Sequence, residues 1–162
     1  MVIILAVLAT SVFKGCILIN SMRIDSDKAM QQLGEEVARK LYGGETIELI
    51  GDVGAGKTTF VRGLARGLGI DESIQSPTFT ISREYSRDDG FLLKHYDFYR
   101  LDEPGIMADE IIESSSDTKC IVVVEWSGSI ADVLPSRRIV VKISSDSQNQ
   151  DIRHVDIRGV RL

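Results

Sequence analysis

The residues best suited to chemistry lie in one short run, Gly51-Asp52-Val53-Gly54-Ala55-Gly56-Lys57-Thr58, with Thr59 directly after it. The pattern G-x-x-x-x-G-K-T is that of a loop built to hold phosphate. Gly51, Gly54 and Gly56 permit backbone conformations closed to residues with a Cβ, so that successive N–H groups can point inward at an anion. A helix starting near Lys57 adds unpaired N–H groups and the positive end of its dipole. Lys57 can reach the β- and γ-phosphates as a point charge, and the Thr58 hydroxyl is placed to ligate Mg²⁺. Thr59, in the same first turn, can touch an α-phosphate. Ala55 completes the cradle.

Such a loop works only between a strand and a helix, and both flanks suit it. An apolar, β-branched run from Thr46 to Ile50 enters the loop, and an amphipathic stretch from Thr58 to Leu68 leaves it. Upstream, Ser26 or Asp27 can cap a helix reaching about Leu41, with Ala29, Leu33, Val37 and Leu41 on its buried stripe. Runs from Phe79 to Ser86 and from Phe91 to Tyr99 flank Asp88-Asp89-Gly90, a hairpin signal that requires part of the sheet to be antiparallel. A short helix is expected over Glu103–Ser114, its start limited by Pro104 and Gly105. Strands are expected over Cys120–Val124, Arg138–Ser144 and Ile152–Arg158. The sum is an α/β chain, a three-layer P-loop NTPase-type domain with a mixed parallel/antiparallel sheet.

A phosphate loop needs an acidic residue at the end of a neighbouring strand to hold Mg²⁺, directly or through water. Glu125 follows the wholly apolar Ile121-Val122-Val123-Val124, so a buried strand delivers a carboxylate; an edge salt bridge is the plain alternative. Asp97 ends a less regular strand, and either orients a water, joins the metal's surroundings or is an ordinary paired carboxylate. Thr78, stiffened by Pro77, is a turn residue or a sensor of the γ-phosphate. Trp126 packs in the core or on nucleotide or partner. His95 reads as a strand residue, with no second ligand at metal spacing. Arg62 and Arg66 share one helix face, open to solvent or to an acidic partner.

With 162 residues there is room for one domain with a proper core. A formal net charge of −5 opposes a stand-alone nucleic-acid binder, which carries a basic face. Two cysteines, Cys16 and Cys120, make no disulfide framework and fit a reducing, cytoplasmic setting. Residues 1–21 form an apolar leader with a single charge, Lys14. Their uninterrupted apolar run stops at Phe13, short of the ~20 residues that span a bilayer. A start assigned too far upstream, a membrane or interfacial segment, and an export signal are the readings. The first fits the polar stretch opening at Met22, so that residues 22–162 form the P-loop ATPase domain.

Four motifs in series, Gly51–Phe60, Ser76-Pro77-Thr78-Phe79-Thr80, His95-Tyr96-Asp97-Phe98-Tyr99-Arg100-Leu101 and Val124-Glu125-Trp126, closely resemble the TsaE (YjeE) family from about residue 26 to about residue 158. The resemblance implies a small ATPase required for threonylcarbamoylation of the tRNA adenosine 3′ of the anticodon. Its implied partners are TsaB and a TsaD that carries out carbamoyl transfer, with ATP turnover resetting the complex; tRNA would be met only through them. It implies Gly54 to Thr59 on the phosphates, Thr58 and Glu125 on Mg²⁺, and Asp97 and Thr78 in hydrolysis or switching. Trp126 falls in the same motif. Ser127 stands where the family usually has proline, and the segment after Leu101 is a loose version of the family's glycine-rich, acidic switch.

Two other functions suit the loop. A small-molecule kinase would replace water by a substrate hydroxyl, but no lid insertion rich in arginine is evident. A nucleotide-gated binding module with negligible independent turnover is the non-enzymatic reading. No Asn-Lys-x-Asp guanine-reading motif is present.

Overall fold

The computed structural model describes residues 11–13, 16–99 and 105–161. Among these, eight strands form one sheet in the order β1-β2-β8-β7-β3-β6-β5-β4. The strands are β1 (Ser11–Phe13), β2 (Cys16–Ile24), β3 (Thr46–Ile50), β4 (Ser82–Ser86), β5 (Leu92–Asp97), β6 (Cys120–Glu125), β7 (Ile139–Ser145) and β8 (Arg153–Arg161). The helices are α1 (Asp27–Ala38), α2 (Lys57–Gly67) and α3 (Met107–Ser114). The four central strands, β7, β3, β6 and β5, run parallel, whereas β4, β8, β2 and β1 add antiparallel edges. The mixed sheet expected from the Asp-Gly hairpin is present.

Side-chain alternation along β6 builds both faces. Ile121 and Val123 join Phe60, Val61 and Leu64 of α2 and Leu33 and Val37 of α1 in one core. Cys120, Val122 and Val124 join Ile111 of α3 with Ile130 and Leu134 in a smaller one. A strand buried on both sides reads as continuous aliphatic sequence, as this one does. Each fully buried large aliphatic contributes roughly 1.5–3 kcal/mol. Helices α1 and α2 cross in backbone contact: a Cβ on Gly63 would lie 1.9 Å from the Gln31 carbonyl oxygen, and one on Gly34 2.3 Å from that of Phe60. That close crossing holds the start of α1 beside the phosphate loop.

Helix α1 begins where expected, the Ser26 hydroxyl accepting from Ala29 N–H at 3.2 Å. Its buried stripe also takes in Met30, Gly34 and Ala38, while Ala29 and Leu41 are only partly buried against it. The helix ends at Ala38, short of the expected Leu41, and three strands also differ from expectation. β4 starts at Ser82 and not Phe79, because Pro77 C=O accepts from both Thr80 N–H and Ile81 N–H and turns residues 77–81 tightly, leaving Phe79 exposed. β8 runs on to Arg161, since β2 gives it a second neighbour. Strand β2 itself crosses the boundary drawn at residues 21 and 22; Met22 pairs with Val155 and Ile24 with Arg153, with an irregularity between Ile19 and Met22. The expected helix start at Glu103, the motif residues Arg100 and Leu101, and leader residues 1–10, 14 and 15 lie outside the described residues. Among the described residues, no helix is long and apolar enough to cross a membrane.

Candidate nucleotide site

Parallel strands end on one edge of the sheet, and three of them deliver the site. Leu49 of β3 pairs with Glu125 of β6, which pairs with Asp97 of β5, so one row across the sheet carries the loop entrance and both carboxylates. Crevices at the carboxyl ends of such strands are where α/β sheets bind ligands. Here the crevice is a cleft of about 820 Å³ whose lining includes Lys57, Thr58, Thr78, Asp97, Glu125 and Arg153.

The loop has the geometry its glycines allow. Gly54 (φ +76°) and Gly56 (φ +105°) sit in the left-handed region, and Gly56 caps α2 without a side-chain bond. Helix α2 starts at Lys57, as expected, and ends at Gly67. Gly51 is needed for space instead, since a Cβ there would come within 2.5 Å of the Ile143 carbonyl oxygen. Carbonyl oxygens of the same loop need donors, and two cations supply them. Lys57 Nζ donates to Gly51 O at 2.9 Å and Asp52 O at 3.0 Å. Arg153, from the start of β8, donates to Ala55 O at 3.2 Å and, more weakly, to Gly54 O at 3.5 Å.

Lys57 and Glu125 are 6% and 3% exposed, with Nζ 3.5 Å from Oε2. The other carboxylate oxygen of Glu125 is 2.9 Å from His95 Nε2. Lys57 also lies over the Trp126 ring, 4.8 Å from its centroid, a cation–π contact. Trp126 holds a left-handed backbone (φ +56°) and tilts against Tyr99 at 4.9 Å. Ser127, which follows, donates to Glu48 Oε1, and Glu48 is paired with Arg138 Nε at 2.6 Å. Ser127 thus ties the turn after β6 to the buried middle of β3.

Asp97 is held on both oxygens: Thr78 Oγ1 donates to Oδ2 at 2.5 Å and Tyr99 N–H to Oδ1 at 2.9 Å. Ser76 Oγ lies 2.7 Å from Thr78 Oγ1. The loop after α2 is thereby pinned to the end of β5. All the residues singled out in the sequence for phosphate, metal and hydrolysis, Gly51 apart, line this one cleft. Arg62 and Arg66 do not; Arg62 donates to Ile74 O, and Arg66 to Glu35 and Gln31 of α1. Arg153 is a site residue that no local pattern announces, because only the return of β8 beside β7 brings it to the loop.

The donor set fits a magnesium ion. Mg²⁺ takes one or two protein oxygens and fills its remaining positions with water and phosphate oxygens. Glu125 and Thr58 offer that, and among the described residues no cluster of three His, Cys, Asp or Glu offers a complete protein cage.

Comparison with known proteins points to one family. The family model described as threonylcarbamoyl adenosine biosynthesis protein TsaE matches residues 24–155. A tRNA threonylcarbamoyladenosine biosynthesis protein TsaE from Streptomyces coelicolor is 35% identical over 134 residues, covering 81% of this chain and 90% of that protein. The Bacillus subtilis protein of the same name is 38% identical over 131 residues, covering 78% and 77%. The crystal structure of YdiB from Bacillus subtilis superposes with a TM-score of 0.69 at 31% identity, covering 86% of this chain and 84% of that one.

Proposed function

Because the chain belongs to the TsaE family of threonylcarbamoyladenosine biosynthesis proteins, we propose that its cleft binds and hydrolyses Mg²⁺–ATP in support of that tRNA modification, in partnership with TsaB and TsaD. The observation that carries this reading is the buried Lys57–Glu125 pair at the mouth of a loop with two left-handed glycines. A cation and a carboxylate held together at 3.5 Å are poised to separate onto a phosphate and a metal ion.

In this reading the inward amides of Gly54 to Thr59 cradle the phosphates. Lys57 exchanges the carbonyl oxygens of Gly51 and Asp52 for β- and γ-phosphate oxygens. Thr58 and Glu125 would hold Mg²⁺, which when bound would supply charge neutralisation at the transferred phosphoryl group. Asp97 orients the attacking water. Thr78, bonded to Asp97, links the loop of residues 71–81 to the state of the γ-phosphate. The cleft rim carries exposed Val53 and Tyr99, with Phe79 beside Thr78, apolar surface of the kind a partner covers. That supports turnover governed by TsaB and TsaD, with the tRNA held by them, and a cytoplasmic setting follows from the substrates.

Phosphate release by the full chain, alone and with TsaB and TsaD, tests the proposal. Mg²⁺-dependent release that rises on adding the partners and vanishes in Lys57→Ala is expected. Release that requires a small alcohol acceptor would instead identify a kinase.

A further inference from the structure

His95 stands out among the buried polar groups. It is fully buried in the middle of β5, two residues before Asp97 and on the same face of the strand, between β4 and β6. Its neighbour Leu93 on that face belongs to the core under α1 and α2. Nε2 lies 2.9 Å from Glu125 Oε1, and a carboxylate oxygen can only accept, so Nε2 carries the proton and donates. Nδ1 is then a buried acceptor with no hydrogen-bond partner among the described residues. A histidine retained for packing would have both ring nitrogens satisfied or would give way to an apolar residue. Among the described residues this ring instead has one hydrogen bond, and it is with the carboxylate assigned to Mg²⁺.

We propose that His95 is a positioning residue that fixes the Glu125 carboxylate for metal binding. Glutamate has three side-chain torsions, and a single ion pair with Lys57 at 3.5 Å leaves its carboxylate free to rotate. The His95 N–H holds Oε1 against the sheet. Oε2 is left facing Lys57 and the cleft. When Lys57 swings to a phosphate, Glu125 keeps its orientation because its anchor lies beneath it and not in the loop. Outer partners of metal-binding carboxylates act in this way, fixing the ligand without touching the ion.

The inference rests on the reading of the cleft as an Mg²⁺–nucleotide site, and its test separates the two. Mn²⁺ binding in the presence of saturating ADP is followed by electron paramagnetic resonance on the full chain. ADP affinity in excess chelator is measured by calorimetry on the same proteins. His95→Leu is expected to weaken Mn²⁺ binding about 10–100-fold while leaving chelated ADP affinity within about twofold of the parent. His95→Gln, whose amide N–H can stand in for Nε2–H, is expected to restore Mn²⁺ binding to within about threefold, and His95→Asn, too short to reach Glu125, is not. If His95→Leu does not fold, the Gln and Asn variants carry the comparison, with thermal melts confirming their folds. Parent-like Mn²⁺ binding in folded Leu or Asn variants, or equal loss in Gln and Asn, overturns the role of His95 alone. A parent chain that binds no Mn²⁺ with ADP overturns the site assignment and this inference with it.

Discussion

Replacing Glu125 by glutamine tests how the cleft is held together as well as what it binds. The carboxylate presents one oxygen to His95 N–H at 2.9 Å and the other to the Lys57 ammonium at 3.5 Å. An amide of the same shape has one acceptor and one donor. One flip sets the NH₂ group against the Lys57 ammonium; the other sets it against His95 Nε2, which can accept only by moving its proton to the buried Nδ1, and either way Lys57 is left buried and without counter-charge. Loss of a hydrogen bond to a charged group costs about 1.5–3 kcal/mol, and removing one partner of a buried pair outright about 3–5 kcal/mol. Glutamine keeps the volume and one hydrogen bond, so the lower range applies. At about 2–4 °C per kcal/mol for a chain of this size, the melting temperature should fall by about 3–12 °C without nucleotide. Urea denaturation and thermal melts of the nucleotide-free protein measure it. Combining Glu125→Gln with Lys57→Met should cost less than the sum of the two single changes, by about 0.5–3 kcal/mol, because each removes what the other leaves unpaired. A Glu125→Gln protein as stable as its parent, or strict additivity in the double variant, would refute the coupling described here.

Other expectations follow from neighbouring contacts. Thr78→Val removes the donor to Asp97 while keeping side-chain shape, and should slow ATP hydrolysis about tenfold or more, equivalent to about 1.4 kcal/mol of barrier, with ATP affinity nearly unchanged in a binding assay. Arg153→Ala strips donors from Gly54 O and Ala55 O and should weaken nucleotide binding about tenfold by calorimetry. The Asp146 carboxyl is held at about 2, below its ordinary 3.8, first by His154 Nε2 at 2.8 Å and then by the N–H groups of Gln148 and Asn149. A depressed carboxylate stabilises the fold above pH 3.8, and that contribution is lost as pH falls towards 2. Asp146→Asn should therefore be less stable than the parent at pH 7 and lose less than the parent between pH 4 and pH 2, as followed by urea melts.

How much of this was legible in the sequence depends on the range of the interactions. The loop, its strand and its helix are local features, and Thr46–Ile50 and Lys57–Gly67 lie where periodicity and glycine put them. Glu125 could be singled out because a carboxylate delivered by four aliphatic residues of a buried strand calls for a metal ion or a charged partner. Asp97 and Thr78 carried open alternatives on local pattern, and it took the parallel pairing of β5 with β6 to bring them to Glu125. His95 read as a strand residue, which it is; its bond to a residue 30 positions away carries no local signal. The turn at residues 77–81 was hidden by Phe79, Thr80 and Ile81, residues of high β propensity that a proline carbonyl bends out of line. Residues 16–21 read as part of an apolar leader, and their pairing with β8 depends on a strand more than a hundred positions later.

The proposed function depends first on Gly54 to Thr59, with Lys57, binding the triphosphate of a magnesium nucleotide. Isothermal titration of the full chain with Mg²⁺–ATP measures it directly. Saturable one-to-one binding is expected, lost in Lys57→Ala while the variant's circular dichroism remains that of the parent. No heat of binding with the folded parent, or undiminished affinity in folded Lys57→Ala, would contradict it.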